Sequence, residues 1–186
     1  MIDTKEQLKE YLDADRVRLG LEKNHYFLGK EVYKYLRALR KLEYYTGKLH
    51  RGGVFWPYKL MYMVWKYRYH CLGIKLGFDI PPNVFGKGLL IHHYGSVIVN
   101  GNARVGDNCE LQQGVVIGVD AKRAGAPVIG NHVYIGAGAK IIGSVMIADG
   151  VVIGANAVVN KSFTEKGIVV AGVPAKKIGM LEREWR

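Results

Sequence analysis

The stretch IHHYGS, residues 91–96, sets His92 beside His93 where a helical, aromatic-rich chain gives way to glycines and valines. A neutral imidazole is the side chain best matched to taking a proton near pH 7. The pair therefore offers three kinds of chemistry: a general base, a metal site, or none, with a ring serving as interior filling. A catalytic zinc site draws on three convergent protein ligands, while adjacent strand residues project to opposite faces. His132 is the one further histidine after residue 80 and falls in an expected turn. No metal is expected.

The elements that must position these rings differ on either side of residue 80. Residues 1–80 hold 16 of the 27 Lys and Arg against 9 of the 16 Asp and Glu, a net of +7, with 15 of 20 aromatic residues but 7 of 24 glycines. TKEQ from Thr4 is a capping-box signal, followed at helical spacing by Leu8, Tyr11 and Leu12. A second helix is expected over 29–45 on Val32, Leu36, Leu39 and Leu42, a break at Gly52, Gly53 and Pro57, and a third helix from Pro57 to about Leu72. That third segment, PYKLMYMVWKYRYH, is apolar on most sides with interspersed cations. It would pack on a helix or second subunit, or lie on a membrane surface.

The 186 residues carry a formal net charge of +11. A basic, tyrosine-rich segment could meet nucleic acid, an anionic membrane or acidic glycans, or be a solvated face with cationic stems over aromatic rings. No nucleic-acid recognition motif accompanies the charge. Cys71 and Cys109 match no zinc or redox spacing and read as small buried apolar residues in a reduced setting. The amino terminus has no apolar signal-peptide core, and no run of eighteen apolar residues occurs. A cytoplasmic location is expected, with peripheral contact at the inner membrane face as the variant the basic helix allows.

Beyond residue 80 the chain repeats. Aliphatic residues recur every six positions at Val99, Val105, Leu111 and Ile117, then at Ile129, Ile135, Ile141, Ile147, Ile153 and Val159. A second, smaller column lies two residues earlier, and Gly106, Gly118, Gly130, Gly136 and Gly154 directly follow the first, where they would relieve strain at turns. A period of six fits neither an α-helix nor ordinary antiparallel strands. It predicts a parallel β-helix in which each unit forms one flat side and three units close a coil. Residues 119–128 keep the count but place Arg123 in the column, so they should form an extruded loop. The expected division is a helical domain over 1–79 and a β-helix with a C-terminal tail over 80–186.

The stretches IPPNVFGKGLLIHHYGSVIVNG, DNCELQQGVVIG, PVIGNHVYIGAGAKIIG and VVIGANAVVNKS, with the ending IVVAGVPAKKIG, resemble the hexapeptide-repeat acyltransferases, in particular their serine-acetyltransferase-like branch. YLDADRVRLG and LRKLEYY look like the amino-terminal segment of transferases from capsule and exopolysaccharide loci. The resemblance implies a left-handed β-helix, a homotrimer with sites between subunits or a hexamer joined by the N-terminal helices, acetyl-CoA as donor and a hydroxyl as acceptor. It places His93 on the catalytic base and His92 on the aspartate before it. Counting by six instead places His93 in the interior column with Leu111 and Ile129, although Lys87 one unit earlier marks the first coil as irregular.

His92 could touch the acceptor, orient His93 or face solvent, and Tyr94 could offer a hydroxyl or a flat face to a sugar or be a plain surface residue. By the same resemblance Gly136, Ala137 and Ala155 meet the pantetheine arm and Gly118 supplies an amide near the thioester oxygen, although each also fits the repeat. Lys176 and Lys177 meet the CoA phosphates or form a basic tail. The serine enzymes carry an aspartate where this chain has His92, and a loop histidine where it has Ala126. Those departures favour a saccharide hydroxyl of surface-polymer biosynthesis over serine as acceptor. Serine O-acetylation and a non-catalytic β-helix scaffold stand as alternatives.

Overall fold

The computed structural model describes residues 2–21, 30–50, 56–121 and 124–181. The expected break at Gly52 and Gly53, the column position Arg123 and the last residues of the tail lie outside them. Three helices come first: α1 (Lys5–Arg18), α2 (Glu31–His50) and α3 (Trp56–Leu76). The capping box forms as the sequence predicts, with Gln7 N–H donating to Thr4 Oγ1 at 3.1 Å and Thr4 N–H to Gln7 Oε1 at 3.2 Å.

Fourteen short strands follow: β1 (Phe78–Asp79), β2 (Leu90–Ile91), β3 (Val97–Val99), β4 (Arg104–Val105), β5 (Glu110–Leu111), β6 (Val116–Gly118), β7 (Val128–Ile129), β8 (Tyr134–Ile135), β9 (Lys140–Ile142), β10 (Met146–Ile147), β11 (Val152–Ile153), β12 (Val158–Val159), β13 (Ile168–Ala171) and β14 (Lys176–Met180). They form three sheets, ordered β1-β3-β6-β9-β12, β4-β7-β10 and β2-β5-β8-β11-β13-β14. Every pairing is parallel except β13 with β14. From β3 to β12 successive strands visit the first, second and third sheets in rotation. That is a parallel β-helix with three flat walls, as the period requires.

Both columns point inward: every aliphatic position from Val99 to Val159 is buried, and so are Val97, Ala103, Cys109, Val115, Val133, Ala139, Val145, Val151 and Ala157. Register explains the interrupted count. Ile98 pairs with Val116 and Val128 with Met146, three hexapeptides on, whereas Arg104 pairs with Val128 and Glu110 with Tyr134, four hexapeptides on. The additional hexapeptide falls between β6 and β7, where the sequence places the extruded loop. The core is continuous with the helices, since Tyr35, Leu36 and Leu39 of α2 pack in the same cluster as the coils.

The glycines after the column do not have the expected role. None of Gly106, Gly118, Gly130, Gly136 and Gly154 has positive φ. What Gly136 permits is close stacking, because a Cβ there would sit 2.6 Å from the Ala155 backbone nitrogen. The left-handed corners belong to another series at the same period, including Asn108 (φ 56°), His132 (φ 54°), Gly138 (φ 71°) and Asn156 (φ 56°). His132 is thus a corner residue. Cys109 is buried as expected and Cys71 is not: it lies on the exposed side of α3.

A buried ionic junction fastens α1 and α2 to the first coil. Arg40 is fully buried, its Nε 2.9 Å from Asp15 Oδ2 and its Nη1 3.1 Å from Glu43 Oε2. The same guanidinium donates to the carbonyls of Phe85 (3.0 Å) and Gly86 (2.6 Å). The carboxylates accept in turn from backbone amides, Asp15 from Leu89 at 2.9 Å and Glu43 from Asn83 at 2.7 Å. Burial disfavours the Arg40 charge most, but Glu43 and Asp15 together outweigh it and hold the guanidinium firmly protonated.

Candidate active site

The first coil is longer than the others. Its rungs join Phe78 to Val97 and Leu90 to Glu110, so it exceeds three hexapeptides by one residue on the first sheet and by two on the third. The interior position opposite Leu111 is therefore filled by Ile91, which is fully buried. His93, which strict hexapeptide counting would place there, is pushed past it and is exposed, as are His92 and Tyr94. The filling account of His93 is overturned.

Nor do the histidines project to opposite faces. Strand β2 ends at Ile91, so both rings leave the bend beyond it, their centroids 6.2 Å apart. With Tyr94 they line a groove of about 470 Å³ whose other wall is Leu19, Leu21, Lys30, Glu31 and Val32. The end of α1 and the start of α2 thus shape the space before His93. Among the described residues, no three His, Cys, Asp or Glu side chains stand together as a metal site.

One constellation was missed in the sequence. Glu110 opens β5, at a position whose counterparts Arg104 and Val128 point outward and are exposed, yet its own side chain is only 8% exposed. His92 covers it from the coil above, Nε2 lying 2.6 Å from Glu110 Oε1, and Arg18 at the end of α1 donates to Oε2 at 3.1 Å. A carboxylate only accepts, so the His92 proton that makes this contact sits on Nε2. A charged residue at an outward strand position is ordinary in sequence. Its partners come from a coil of altered length and from a helix far away along the chain.

Topology also sorts the expected donor residues. His92 and His93 follow β2, Gly136 and Ala137 follow β8, and Ala155 lies just beyond β11, all on the third sheet, where the chain turns toward the first. These residues stack on one edge of the prism, and Gln112 and Gln113, after β5, fill the rung between. Lys176 pairs with Ala171 at the far end of the same sheet. With strands about 4.8 Å apart, the edge runs about 24 Å from β2 to β14.

Gly118 is the exception. It closes β6 on the first sheet, so it lies on a different edge of the same chain. The Gly136 amide is not available to a ligand, since it donates to the Ile153 carbonyl at 2.8 Å. The basic tail is in fact a strand: Lys176 and Lys177 begin β14, and Lys177 Nζ is held by both oxygens of Glu165 at 2.7 and 2.8 Å.

Known proteins share this architecture. Residues 126–161 match the bacterial transferase hexapeptide family, six repeats. No curated protein matches the chain. Among solved structures, serine acetyltransferase from Brucella abortus strain S19 is similar over 94% of this chain and 70% of its own, at 26% identity and a TM-score of 0.73. A structure of serine acetyltransferase from the same strain in complex with coenzyme A covers 95% and 69%, at 27% identity and a TM-score of 0.72. The Neisseria gonorrhoeae enzyme covers 98% and 72%, at 25% identity and a TM-score of 0.68. The hexapeptide β-helix preceded by helices, and the likeness to acetyltransferases, are thereby established. None of these neighbours bears on the capsule resemblance.

The Glu110 carboxylate yields a prediction independent of substrate. Glu110→Gln keeps an oxygen for the His92 N–H but removes the charge that binds His92 and Arg18 together. A hydrogen bond to a charged group is worth about 1.5–3 kcal/mol, so kcat/KM should fall about 10-fold or more. Steady-state kinetics beside a urea melt check this, and an unchanged melt assigns the loss to the site.

Proposed function

We propose that the protein is an acetyl-CoA-dependent O-acetyltransferase in which His93 is the general base, with serine as the acceptor its structural neighbours favour. The observation that carries the reading is the single prism edge on which an exposed His93 and the rungs of Gly136, Ala137, Ala155 and Lys176 are stacked. A long thioester laid along that edge would bring its acyl end to the histidines and its phosphates toward Lys176. The acceptor hydroxyl would give its proton to His93 as its oxygen bonds to the thioester carbon. The C–S bond then breaks, and the proton passes to the departing thiolate.

Gly118 fits this scheme between neighbours. A prism offers each neighbour in a threefold ring a different edge, so the Gly118 edge of one chain can face the His93 edge of the next. We propose such a homotrimer, with the left-handed winding its resemblance implies.

A saccharide acceptor is the second reading, and His92 favours it. The groove presents an imidazole where a carboxylate would suit an ammonium group; the carboxylate behind His92, Glu110, is buried and engaged by Arg18, and Glu31 on the opposite wall is paired with Lys34 at 2.8 Å. Incubating the protein with acetyl-CoA and following thiol release separates the readings. Release that depends on L-serine supports the first. Release with hexoses or nucleotide sugars and none with serine supports the second, and no acceptor-dependent release from any hydroxyl compound rejects both.

A further inference from the structure

Helix α3 has two apolar faces, and the protein covers one of them. Tyr58, Met61, Trp65, Tyr69 and Leu72 recur at spacings of three and four and are at least half-covered, with Leu76 buried at the end; Arg37 of α2 lies over the Trp65 ring. On the opposite side Trp56, Leu60, Met63, Tyr67 and Ile74 form a second stripe. It runs from Trp56 to Ile74, about 27 Å of the helix, with exposed His70 on the same face between Tyr67 and Ile74. Trp56 and Ile74 are each 72% exposed and Tyr67 70%, with Val64 and Cys71 beside them also exposed. A helix apolar on all sides is ordinarily covered on all sides.

The charges flanking the stripe identify what covers it. At about 100° per residue, Lys59 and Lys66 fall along one border and Arg68 and Lys75 along the other. The helix contains no Asp or Glu. The four cations are all exposed; Lys75 has a long contact to Glu31 at 3.7 Å, and Arg68 and Lys66 lie over the rings of Trp65 and Tyr62. Pairing this face with its own copy would bring like charges along both sides of the seam. An anionic surface would be attracted to both borders while the stripe enters its apolar layer, the pattern of a helix lying in a membrane interface. No described helix is long and apolar enough to cross a membrane.

We propose that the outer face of α3 is a docking surface for an anionic lipid bilayer, on which the helix lies flat with Trp56, Met63 and Tyr67 as its anchors. The site histidines are on other elements, so this binding is independent of the acyl-transfer reading.

Flotation of the full chain with vesicles tests it. Binding is expected to vesicles containing phosphatidylglycerol, weak or no binding to phosphatidylcholine alone, and release as salt rises. Each cation near the surface contributes about fivefold, so Lys59→Gln with Lys66→Gln should weaken binding about 25-fold. Met63→Glu with Tyr67→Glu should abolish it, with an unchanged thermal melt because both side chains are exposed. Absence of flotation overturns the proposal, and equal flotation with phosphatidylcholine overturns its anionic part. A concentration-dependent oligomer that Met63→Glu dissolves, without any vesicle binding, would assign the stripe to another copy of the chain.

Discussion

Replacing His93 by alanine is expected to lower kcat for acetyl transfer roughly 100- to 10,000-fold, the range over which a positioned general base contributes. KM for acetyl-CoA should change little if, as proposed, the ring acts on the acceptor's proton and the donor lies along rungs that the substitution leaves alone. The fall should therefore appear equally in kcat and kcat/KM, the signature of an interaction made in the transition state. Exposure makes the variant safe to interpret: no core contact is lost, so the urea midpoint should match that of the parent. The comparison that decides the assignment is His92→Ala. The structure gives the orienting carboxylate to His92, through the 2.6 Å contact to Glu110. If His92→Ala is the dead variant and His93→Ala the mild one, the base is His92 and Glu110 is its orienting partner. With His93 as base, His92→Ala should resemble Glu110→Gln, losing roughly tenfold through a misplaced acceptor.

The contrast between the two histidines also shows what sequence could and could not disclose. Two columns at a period of six require a three-walled coil, because every inward position repeats what the coil below needs; a hexapeptide inserted between Ile117 and Ile129 leaves that phase intact. The first coil has no such constraint. It is bounded on one side by helices, it runs slightly beyond three hexapeptides, and the surplus expels His93 from the interior position that counting assigns to it. Glu110 was hidden for a related reason: its burial depends on Arg18, which α1 brings to it, and on His92, which the lengthened first coil places over it. On α3, composition announced a helix apolar around its circumference. Which face α2 would cover, and that Cys71 would remain outside, depended on packing.

Arg40→Ala is expected to destabilise the protein by about 3–5 kcal/mol, the cost of breaking a buried ion network by removing one member. The substitution leaves the carboxylates of Asp15 and Glu43, both essentially inaccessible, without their cation, and strips a donor from the Phe85 and Gly86 carbonyls. Arg40→Lys should recover only part of the loss, since one ammonium cannot reproduce a planar fork that reaches two carboxylates and two carbonyls. An apolar replacement of all three charged residues is often harmless in other buried networks. Here it should not be, because the network also satisfies backbone groups of the first coil: the Leu89 amide and the Phe85 carbonyl would be left buried and unpaired, and the half-buried Asn83 amide and Gly86 carbonyl would lose their partners. Urea titration measures the effect, and with a slope of about 1–3 kcal/mol per molar the midpoint should fall by about 1 M or more. Function should fall with it. Arg40 anchors the Asp15 turn of α1, and one turn further along that helix Arg18 reaches Glu110 and Leu19 walls the groove before His93. Loosening α1 should thus lower kcat/KM even at urea concentrations where the β-helix itself remains folded.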